Sequence, residues 1–195
     1  MKNEITVTRN TVGYLRDPQR TRIPRNYKLN VRSFSNTFHV NLKNNNKIAA
    51  NMNVYVSQNN SNRIVAEFEG QTHPNSRGKN LGTLIRGIVT KALLKSGVNY
   101  ITHPLGTNTN NVIAKTISKK KGISISEARN NKNFVPISTR IVRKLGYTKN
   151  NRSNTTNIIT PTMNLTKLNK IVRNITAAIN IQRAYRRRPA RTIRA

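Results

Sequence analysis

The stretch with the most chemical content runs from residue 64 to residue 96. Its first part, Ile64–Glu69, alternates apolar and polar residues as a half-buried strand does, which places Glu67 and Glu69 on one face. A short basic loop follows, Arg77-Gly78-Lys79-Asn80-Leu81-Gly82, and it leads into a run of apolar residues. A glycine-containing turn that enters a helix exposes unpaired backbone N–H groups at the positive end of the helix dipole. The loop therefore predicts a site for a phosphate or pyrophosphate.

The elements that must position this loop are a strand before it and a helix after it. The helix is predicted by apolar residues at three- and four-residue spacing, with Gly97 as its left-handed cap. These apolar residues are Leu81, Leu84, Ile85, Ile88, Val89, Ala92 and Leu93. A solvated turn with two ordinary basic side chains is the alternative interpretation of the loop.

Two motifs in this order resemble the GNAT acetyltransferase superfamily. The loop from Arg77 to Gly82 is similar to the pyrophosphate loop Arg/Gln-x-x-Gly-x-Gly/Ala of that family, with Asn80 at the first glycine. Asparagine is one of the few residues that tolerate a left-handed conformation, so the turn is expected to form. The second motif, Arg143-Lys144-Leu145-Gly146-Tyr147, resembles the closing helix–Lys–Leu–Gly–aromatic pattern. The resemblance covers about Phe38 to Ile159.

The resemblance implies acetyl-CoA as cofactor, with its pyrophosphate on the loop amides and its pantetheine arm along the end of the preceding strand. The cofactor-binding residues implied are Gln71, Thr72, His73, Arg77, Gly78, Lys79, Asn80, Leu81, Gly82 and Thr83. An amine substrate must lose a proton, and Glu69, then Glu67, are the candidate bases. Pairing with arginine is the alternative role for both. Val142 stands where the family often has a tyrosine acid, which leaves Tyr147 as a weak candidate.

The composition points to a polyanionic partner. The chain of 195 residues carries 36 Lys and Arg against five acidic residues, a formal net charge of +31. DNA or RNA suits such a charge, whereas an anionic membrane is less favoured because basic residues are not paired with large interfacial aromatics. The chain has no cysteine, and its three histidines show no metal-ligand spacing, so no metal site is predicted.

We expect an intracellular, soluble protein, because no apolar run approaches membrane-spanning length and the first residues lack a signal-peptide core. Basic chains rich in asparagine resemble products of large DNA viruses of protists. The resemblance implies an association with the virion or with nucleic acid.

The order of elements predicts an α+β (mixed α/β) fold, with a central mixed sheet. Residues 1–36 are interpreted as a basic N-terminal arm, with a short strand at Ile5–Thr8. Residues 37–160 form the GNAT-like domain, an antiparallel meander followed by a strand–helix–strand unit, with a basic insertion at about 108–133. Residues 161–195 are predicted to be a basic amphipathic helix and tail.

Two basic clusters are candidate nucleic-acid contacts, with a solvated surface as the alternative for each. They comprise Lys119, Lys120 and Lys121 in the insertion, and Arg183, Arg186, Arg187, Arg188 and Arg191 at the end of the last helix. This last segment also resembles an IQ motif, which implies a calmodulin-like partner for residues 165–195. Three functions therefore remain open: an N-acetyltransferase, a GNAT-like fold without activity that packages nucleic acid, and an adaptor for a calmodulin-like protein.

Overall fold

The computed structural model describes residues 3–60, 62–98, 100–104, 107–130, 144–145, 148–149, 156–160 and 165–186. The helices of this part are α1 (Glu4–Arg16), α2 (Pro18–Thr21), α3 (Leu81–Ser96), α4 (Thr107–Lys121), α5 (Ile125–Asn130) and α6 (Leu165–Arg186). The strands are β1 (Tyr27–Phe34), β2 (Thr37–Asn44), β3 (Lys47–Gln58), β4 (Ile64–Thr72), β5 (Tyr100–Pro104), β6 (Thr148–Lys149) and β7 (Thr156–Thr160).

The strands in these ranges form one mixed sheet in the order β1-β2-β3-β4-β5-β7-β6. Strands β1 to β4 are an antiparallel meander, β4 and β5 are parallel, and β5, β7 and β6 are again antiparallel. The helix α3 is the crossover between the two parallel strands, as a parallel pair requires. The predicted mixed α/β fold with a meander and a strand–helix–strand unit is thus confirmed.

Asparagines shape the tight turns of the meander. Asn45 and Asn46 join β2 to β3 with positive φ angles of 46° and 62°, the backbone of a two-residue hairpin turn. The turn between β1 and β2 is held to β3, because the Asn36 side chain donates to the Val56 carbonyl at 2.9 Å. These contacts fix the register and therefore which face of each strand is buried.

Helices α1 and α3 cover one face of the meander, and the described helices leave its other face, called the open face, exposed. Alternate residues of the meander, such as Phe38, Val54 and Phe68, are buried in one core with α1 and α3. Their neighbours along each strand point to the opposite face and are polar or exposed. Both candidate carboxylates lie on this open face.

The N-terminal segment is part of this core. Residues 5–8 lie in α1, so the expectation of a strand there is wrong. The β-branched run Ile5-Thr6-Val7-Thr8 favours a strand, but the Asn3 side chain accepts from the Thr6 N–H at 2.8 Å and caps a helix. The buried residues of α1 are Val7, Thr8, Thr11, Val12 and Leu15. With β1 in the sheet, the segment predicted as a basic arm contributes a helix and a strand to the domain.

The crossover helix α3 ends as the sequence predicts. Gly97 is left-handed at φ 96°, and the Val98 N–H donates to the Leu93 carbonyl at 3.0 Å. The last helix, α6, packs on α3 through Leu168, Val172, Ile175 and Ile179. The amphipathic helix predicted in residues 161–195 is present, and its apolar stripe is part of the core.

The described residues of the basic insertion form the two helices α4 and α5. Ser124 caps α5 through a reciprocal pair of bonds, in which the Glu127 carboxylate accepts from the Ser124 N–H at 2.8 Å and the Ser124 hydroxyl accepts from the Glu127 N–H at 3.1 Å. Hydrogen bonds with the Ser124 hydroxyl and then the Ser124 backbone hold the pKa of Glu127 below its ordinary value. Among the helices in the described ranges, none combines the length and apolar character of a membrane-spanning segment.

Candidate active site

The site is built around a separation of the two parallel strands. Strand β4 pairs with β5 only from Val65–Tyr100 to Glu67–Thr102. Beyond this point β4 follows β3 as far as Thr72, whereas β5 follows β7. Each strand keeps its own antiparallel partner, so a gap opens between their carboxyl ends. Such a gap is where ligands bind in open sheets with crossover helices.

Backbone groups of β4 face this gap alternately. The Gln71 N–H donates to the Asn51 side chain at 3.2 Å, and the His73 N–H donates to the Ala49 carbonyl at 2.9 Å. Both therefore point toward β3. Because N–H groups alternate along a strand, those of Gly70 and Thr72 point toward the gap. Of the three residues predicted to pair with a pantetheine arm, only Thr72 presents its N–H on that side.

Gly70 is the residue that sequence reasoning missed. A Cβ atom at this position would lie 2.9 Å from the Asn51 carbonyl oxygen, so the close approach of β3 excludes a side chain. The alternation of β4, together with a known partner strand, would have identified its N–H as a second donor toward the gap. The candidate donors are thus Gly70 and Thr72, two residues apart on one edge.

The loop after β4 delivers the chain into α3 by two left-handed residues. Gly78 has a φ of 76° and Asn80, the N-cap of α3, has a φ of 56°. No side chain caps the helix in the described part of the chain, and its ladder begins with the Leu84 N–H on the Asn80 carbonyl at 2.9 Å. The amides of Leu81, Gly82 and Thr83 are therefore the helix's open anion-binding groups. Asn80 takes the conformation that the sequence predicts for it.

The two basic residues of the loop differ in their roles. Arg77 is exposed and extended at the start of the turn. The Lys79 ammonium instead donates to the Asn75 carbonyl at 3.0 Å and braces the loop. Arg77 is thus the freer of the two cations to meet an anion at the helix start.

Gly82 brings the helix start against the end of β4. A Cβ atom on Gly82 would lie 2.8 Å from the Thr72 hydroxyl oxygen. The uncapped amides of α3 and the Thr72 edge therefore border the same gap. The absence of a side chain at Gly82 is what permits this approach.

The closing motif meets the loop from the far side. The Lys144 ammonium donates to the Asn80 side-chain oxygen at 3.0 Å. Leu145 is fully buried, and a Cβ atom on Gly87 of α3 would lie 3.2 Å from it. The two motifs that carry the family resemblance are thus in contact.

The two carboxylates lie on the open face of β4, away from α3. Both are exposed, and neither forms a salt bridge among the described residues. Glu67 is level with the last β4–β5 pair, opposite Thr102, whereas Glu69 lies where the strands have separated. Glu69 is therefore the carboxylate nearer to the gap. Val142 and Tyr147 lie outside the described residues.

The predicted nucleic-acid residues lie elsewhere. Lys119, Lys120 and Lys121 are exposed at the end of α4, where the first two line a surface depression with Lys115 and Thr116. Arg183 and Arg186 belong to the last turns of α6, and Ile181 of the IQ-like segment is 57% exposed. Residues 187, 188 and 191 lie outside the described part.

No family model and no curated protein sequence matches the chain. Solved structures that resemble it include the GNAT domain of S. lividans PAT (8% identity, 63% of this chain and 58% of that chain, TM-score 0.41). A second is a GNAT-family acetyltransferase from Streptococcus pneumoniae (12% identity, 65% of this chain and 66% of that chain, TM-score 0.42). A third is Arabidopsis thaliana Naa50 in complex with a bisubstrate analogue (10% identity, 64% of this chain and 72% of that chain, TM-score 0.40). The chain spans less than two thirds of the first two structures. These identities and scores are too low to assign a function.

Proposed function

We propose that the chain binds acetyl-CoA in the gap between β4 and β5 and transfers its acetyl group to an amine. The observation that carries the proposal is the position of the uncapped start of α3 against the end of β4, on the stretch of β4 that lies beyond its last pair with β5. The gap offers anion-binding amides at one end and strand-edge N–H groups at the other. This is a donor set suited to a ligand that joins a pyrophosphate to an amide-containing arm.

The residues present fit the pyrophosphate. The open amides of Leu81, Gly82 and Thr83 supply N–H donors, and Arg77 supplies fixed charge beside them. A side chain at Gly82 would meet Thr72, so the glycine keeps these amides accessible at the strand end. The Gly70 and Thr72 N–H groups would pair with the amide-containing arm as a strand edge does.

Bound acetyl-CoA supplies an acetyl group activated as a thioester, which a neutral amine attacks. The chain's part in the transfer would be to remove a proton from the amine, and we assign this role to Glu69, which lies beyond the last β4–β5 pair. The new bond joins the amine nitrogen to the acetyl carbon as the carbon–sulfur bond breaks. The second proton that the nitrogen loses passes through water to the thiolate that leaves.

A thiol-release assay tests this proposal without interference from the protein, because the chain contains no cysteine. Purified protein is incubated with acetyl-CoA and a panel of amines, including lysine-containing peptides and polyamines. We expect free thiol to be released only when an amine is present. Glu69→Gln should lower the rate of this release. Glu127→Gln, a matched charge change on α5, should leave the rate unchanged. No amine-dependent release with any amine, or equal loss in both variants, would contradict the proposal.

A second candidate function is the neutralisation of nucleic acid, as in a virion or a chromatin-like particle. It is favoured by the net charge of +31 and by the exposed lysines that end α4. If binding is driven by counterion release, the logarithm of the binding constant should fall linearly and steeply with the logarithm of the salt concentration. Replacing Lys119, Lys120 and Lys121 by glutamine should make that slope shallower by roughly 0.9 for each duplex phosphate that these lysines neutralise. An unchanged slope would exclude α4 as the binding surface.

Capture of residues 165–195 by a calmodulin-like protein stays a prediction of the IQ resemblance. Its support is that Ile181 lies beyond the buried part of α6 and is exposed. Calcium-dependent retention of the full chain on immobilised calmodulin, lost in Ile181→Asp, is the expected result. Retention that is equal in Ile181→Asp would exclude this segment.

A further inference from the structure

The open face of the meander carries a row of amide side chains. Asn30, Asn41, Asn51 and Gln71 are aligned across β1, β2, β3 and β4 by the register of the three ladders. The first and last are exposed and the middle two are half-buried. Amide side chains both donate and accept hydrogen bonds, and these four lie in one line across the sheet. This surface is called the amide face below.

Two exposed aromatic side chains lie on the same face. Each is four residues along the strands from the amide row, and a second row of polar side chains lies between them and the amides. Phe34 pairs with Thr37, and Thr37 pairs with Tyr55. Phe34 is 84% exposed and Tyr55 is 42% exposed, so neither ring is required by the core. The two residues are two strand spacings apart, so their backbone positions lie about 10 Å from each other. Their rings form flat apolar surfaces that are available to a ligand.

The row between the amides and the aromatics is also polar and internally fixed. His39 faces Asn53 across β2 and β3, and the His39 Nδ1 atom lies 2.8 Å from the Asn53 side-chain oxygen. Arg32 of β1 is opposite His39 and is exposed. This row adds a further cation and further hydrogen-bonding groups to the amide face.

Positive charge is concentrated on the β1–β2 side of the amide face. Lys28 lies directly opposite Lys43, and like charges in this arrangement repel each other. Arg32 adds a third cation, whereas Glu67 and Glu69 on β4 mark the other border. An anionic ligand over β1 and β2 would relieve this repulsion. The charge on the face therefore selects a polyanion and orients it toward the β1 edge.

We propose that the amide face binds single-stranded nucleic acid. Phosphates would pair with Lys28, Arg32 and Lys43, and unstacked bases would lie on Phe34 and Tyr55. Apart from the Asn51 oxygen, which accepts from the Gln71 N–H, the amide row would hydrogen-bond to the Watson–Crick edges of bases. A single strand exposes these edges, whereas a duplex uses them for base pairing. The carboxylates of an acidic peptide would use the cations, but these side chains supply no ring to stack on Phe34 and Tyr55, whereas each nucleotide carries both a phosphate and a flat base.

The proposal concerns a different surface from the lysines of α4, and it stands whether or not the chain transfers acetyl groups. It is tested by fluorescence anisotropy of a short labelled oligothymidylate, titrated with the full chain at moderate and high salt. A duplex of the same length serves as the comparison ligand. The variants are Phe34→Ala and Tyr55→Ala, with Ile125→Ala on α5 as the control for loss of an exposed apolar side chain.

We expect Phe34→Ala and Tyr55→Ala each to weaken single-strand binding about tenfold, since stacking on one aromatic ring contributes that order of affinity. Duplex binding should be unchanged in both, and Ile125→Ala should bind both ligands as the wild type does. Because both rings are exposed, circular dichroism should show an unaltered fold. Single-strand affinity that survives both substitutions, or that falls equally with duplex affinity, would overturn the proposal.

Arg32→Gln gives a second, independent readout. Removing a cation that pairs with phosphate should lower single-strand affinity and make its salt slope shallower by about 0.7. Lys95→Gln, a charge change in the last turn of α3, is the matched control. Equal effects of the two substitutions would mean that net charge, and not the amide face, governs binding.

Discussion

Lys144 and Asn80 are separated by 64 residues in the chain, yet the Lys144 ammonium donates to the Asn80 side-chain oxygen at 3.0 Å. Asn80 is the left-handed N-cap of α3, and its own side chain does not cap the helix. The amides of the first turn are therefore left open, while the asparagine side chain is used to bind the closing segment. A glycine at this position would supply the same backbone but not this hydrogen bond.

Substitution of Asn80 tests the left-handed turn. Asn80→Ala should lower the free energy of unfolding by about 1 kcal/mol, because a Cβ-bearing residue without a locally bonding side chain is strained at positive φ. Asn80→Gly loses the same hydrogen bond with Lys144 but relieves the strain, so it should be more stable than Asn80→Ala. Urea denaturation measures both, with Asn75→Ala as the control at a neighbouring exposed site. Equal stability of the alanine and glycine variants would show that the turn carries no such strain.

Gly87 of α3 lies against Val172 of α6 and against Leu145. A Cβ atom there would lie 2.8 Å from a methyl carbon of Val172 and 3.2 Å from Leu145. Overpacking of about 1–3 kcal/mol should exceed the helix-propensity gain of about 1 kcal/mol, so Gly87→Ala is expected to destabilise. Gly13→Ala in α1 should instead stabilise, because a Cβ atom at Gly13 meets nothing within 4 Å.

The cause of the Gly87 effect can be isolated by a double-mutant cycle. Combining Gly87→Ala with Val172→Ala should reduce the cost of the glycine substitution, because the methyl group that it meets is gone. Thermal denaturation of the wild type, the two single variants and the double variant gives the coupling free energy between the two substitutions. Additive effects would mean that Val172 is not the obstacle.

The two carboxylates of β4 should differ in their contribution to acetyl transfer. Loss of a general base typically slows a reaction by about 10²–10⁴-fold, and we expect Glu69→Gln to fall in this range. Glu67→Gln should have the smaller effect, since Glu67 is level with the last β4–β5 pair and Glu69 lies beyond it. Single-turnover rates with a chosen amine compare them. A larger effect of Glu67→Gln would reverse the assignment.

Helix α5 should be sensitive to acid through its capping pair. The pKa of Glu127 is lowered in the folded state by hydrogen bonds with Ser124. The contribution of ionised Glu127 to the free energy of unfolding is therefore complete above the ordinary carboxyl pKa. It is lost as the pH falls through the lowered pKa of the folded state. An NMR titration measures the pKa of the Glu127 carboxyl group. Ser124→Ala removes the hydroxyl that bonds with Glu127, so it should raise this pKa. An unchanged pKa would rule out the capping bonds as the cause.

Much of the fold could be predicted because its signals are local. The stripe of α3, the left-handed Gly97, the alternation of Ile64–Glu69 and the capping pair of α5 are each visible within a few residues. Asparagine's tolerance of positive φ was enough to predict the conformation of Asn80. These features depend on neighbouring residues and not on the rest of the fold.

The remainder depends on contacts between distant segments. The run Ile5-Thr6-Val7-Thr8 favours a strand by propensity, but its capping by Asn3 and its burial against α3 make it a helix. The Thr72 N–H points toward the gap because of the register between β4 and β3. No local sequence pattern predicts this register. The hydrogen bond of Lys144 with Asn80 joins two motifs that the sequence shows only as separate matches.

The most direct test of the cofactor site is calorimetric titration of the full chain with acetyl-CoA at moderate and high salt. The key variant is Gly82→Glu, which places a side chain against Thr72 and a negative charge at the open amides of α3. Gly13→Glu is the matched control, with the same charge change at an exposed helical glycine. Coenzyme A is an anion that a chain of charge +31 attracts without a site, so the salt series is essential.

We predict one-to-one binding that persists at high salt, is retained in Gly13→Glu and is lost in Gly82→Glu. Binding that disappears with salt, or that is equal in the two variants, would contradict a cofactor site between β4 and β5.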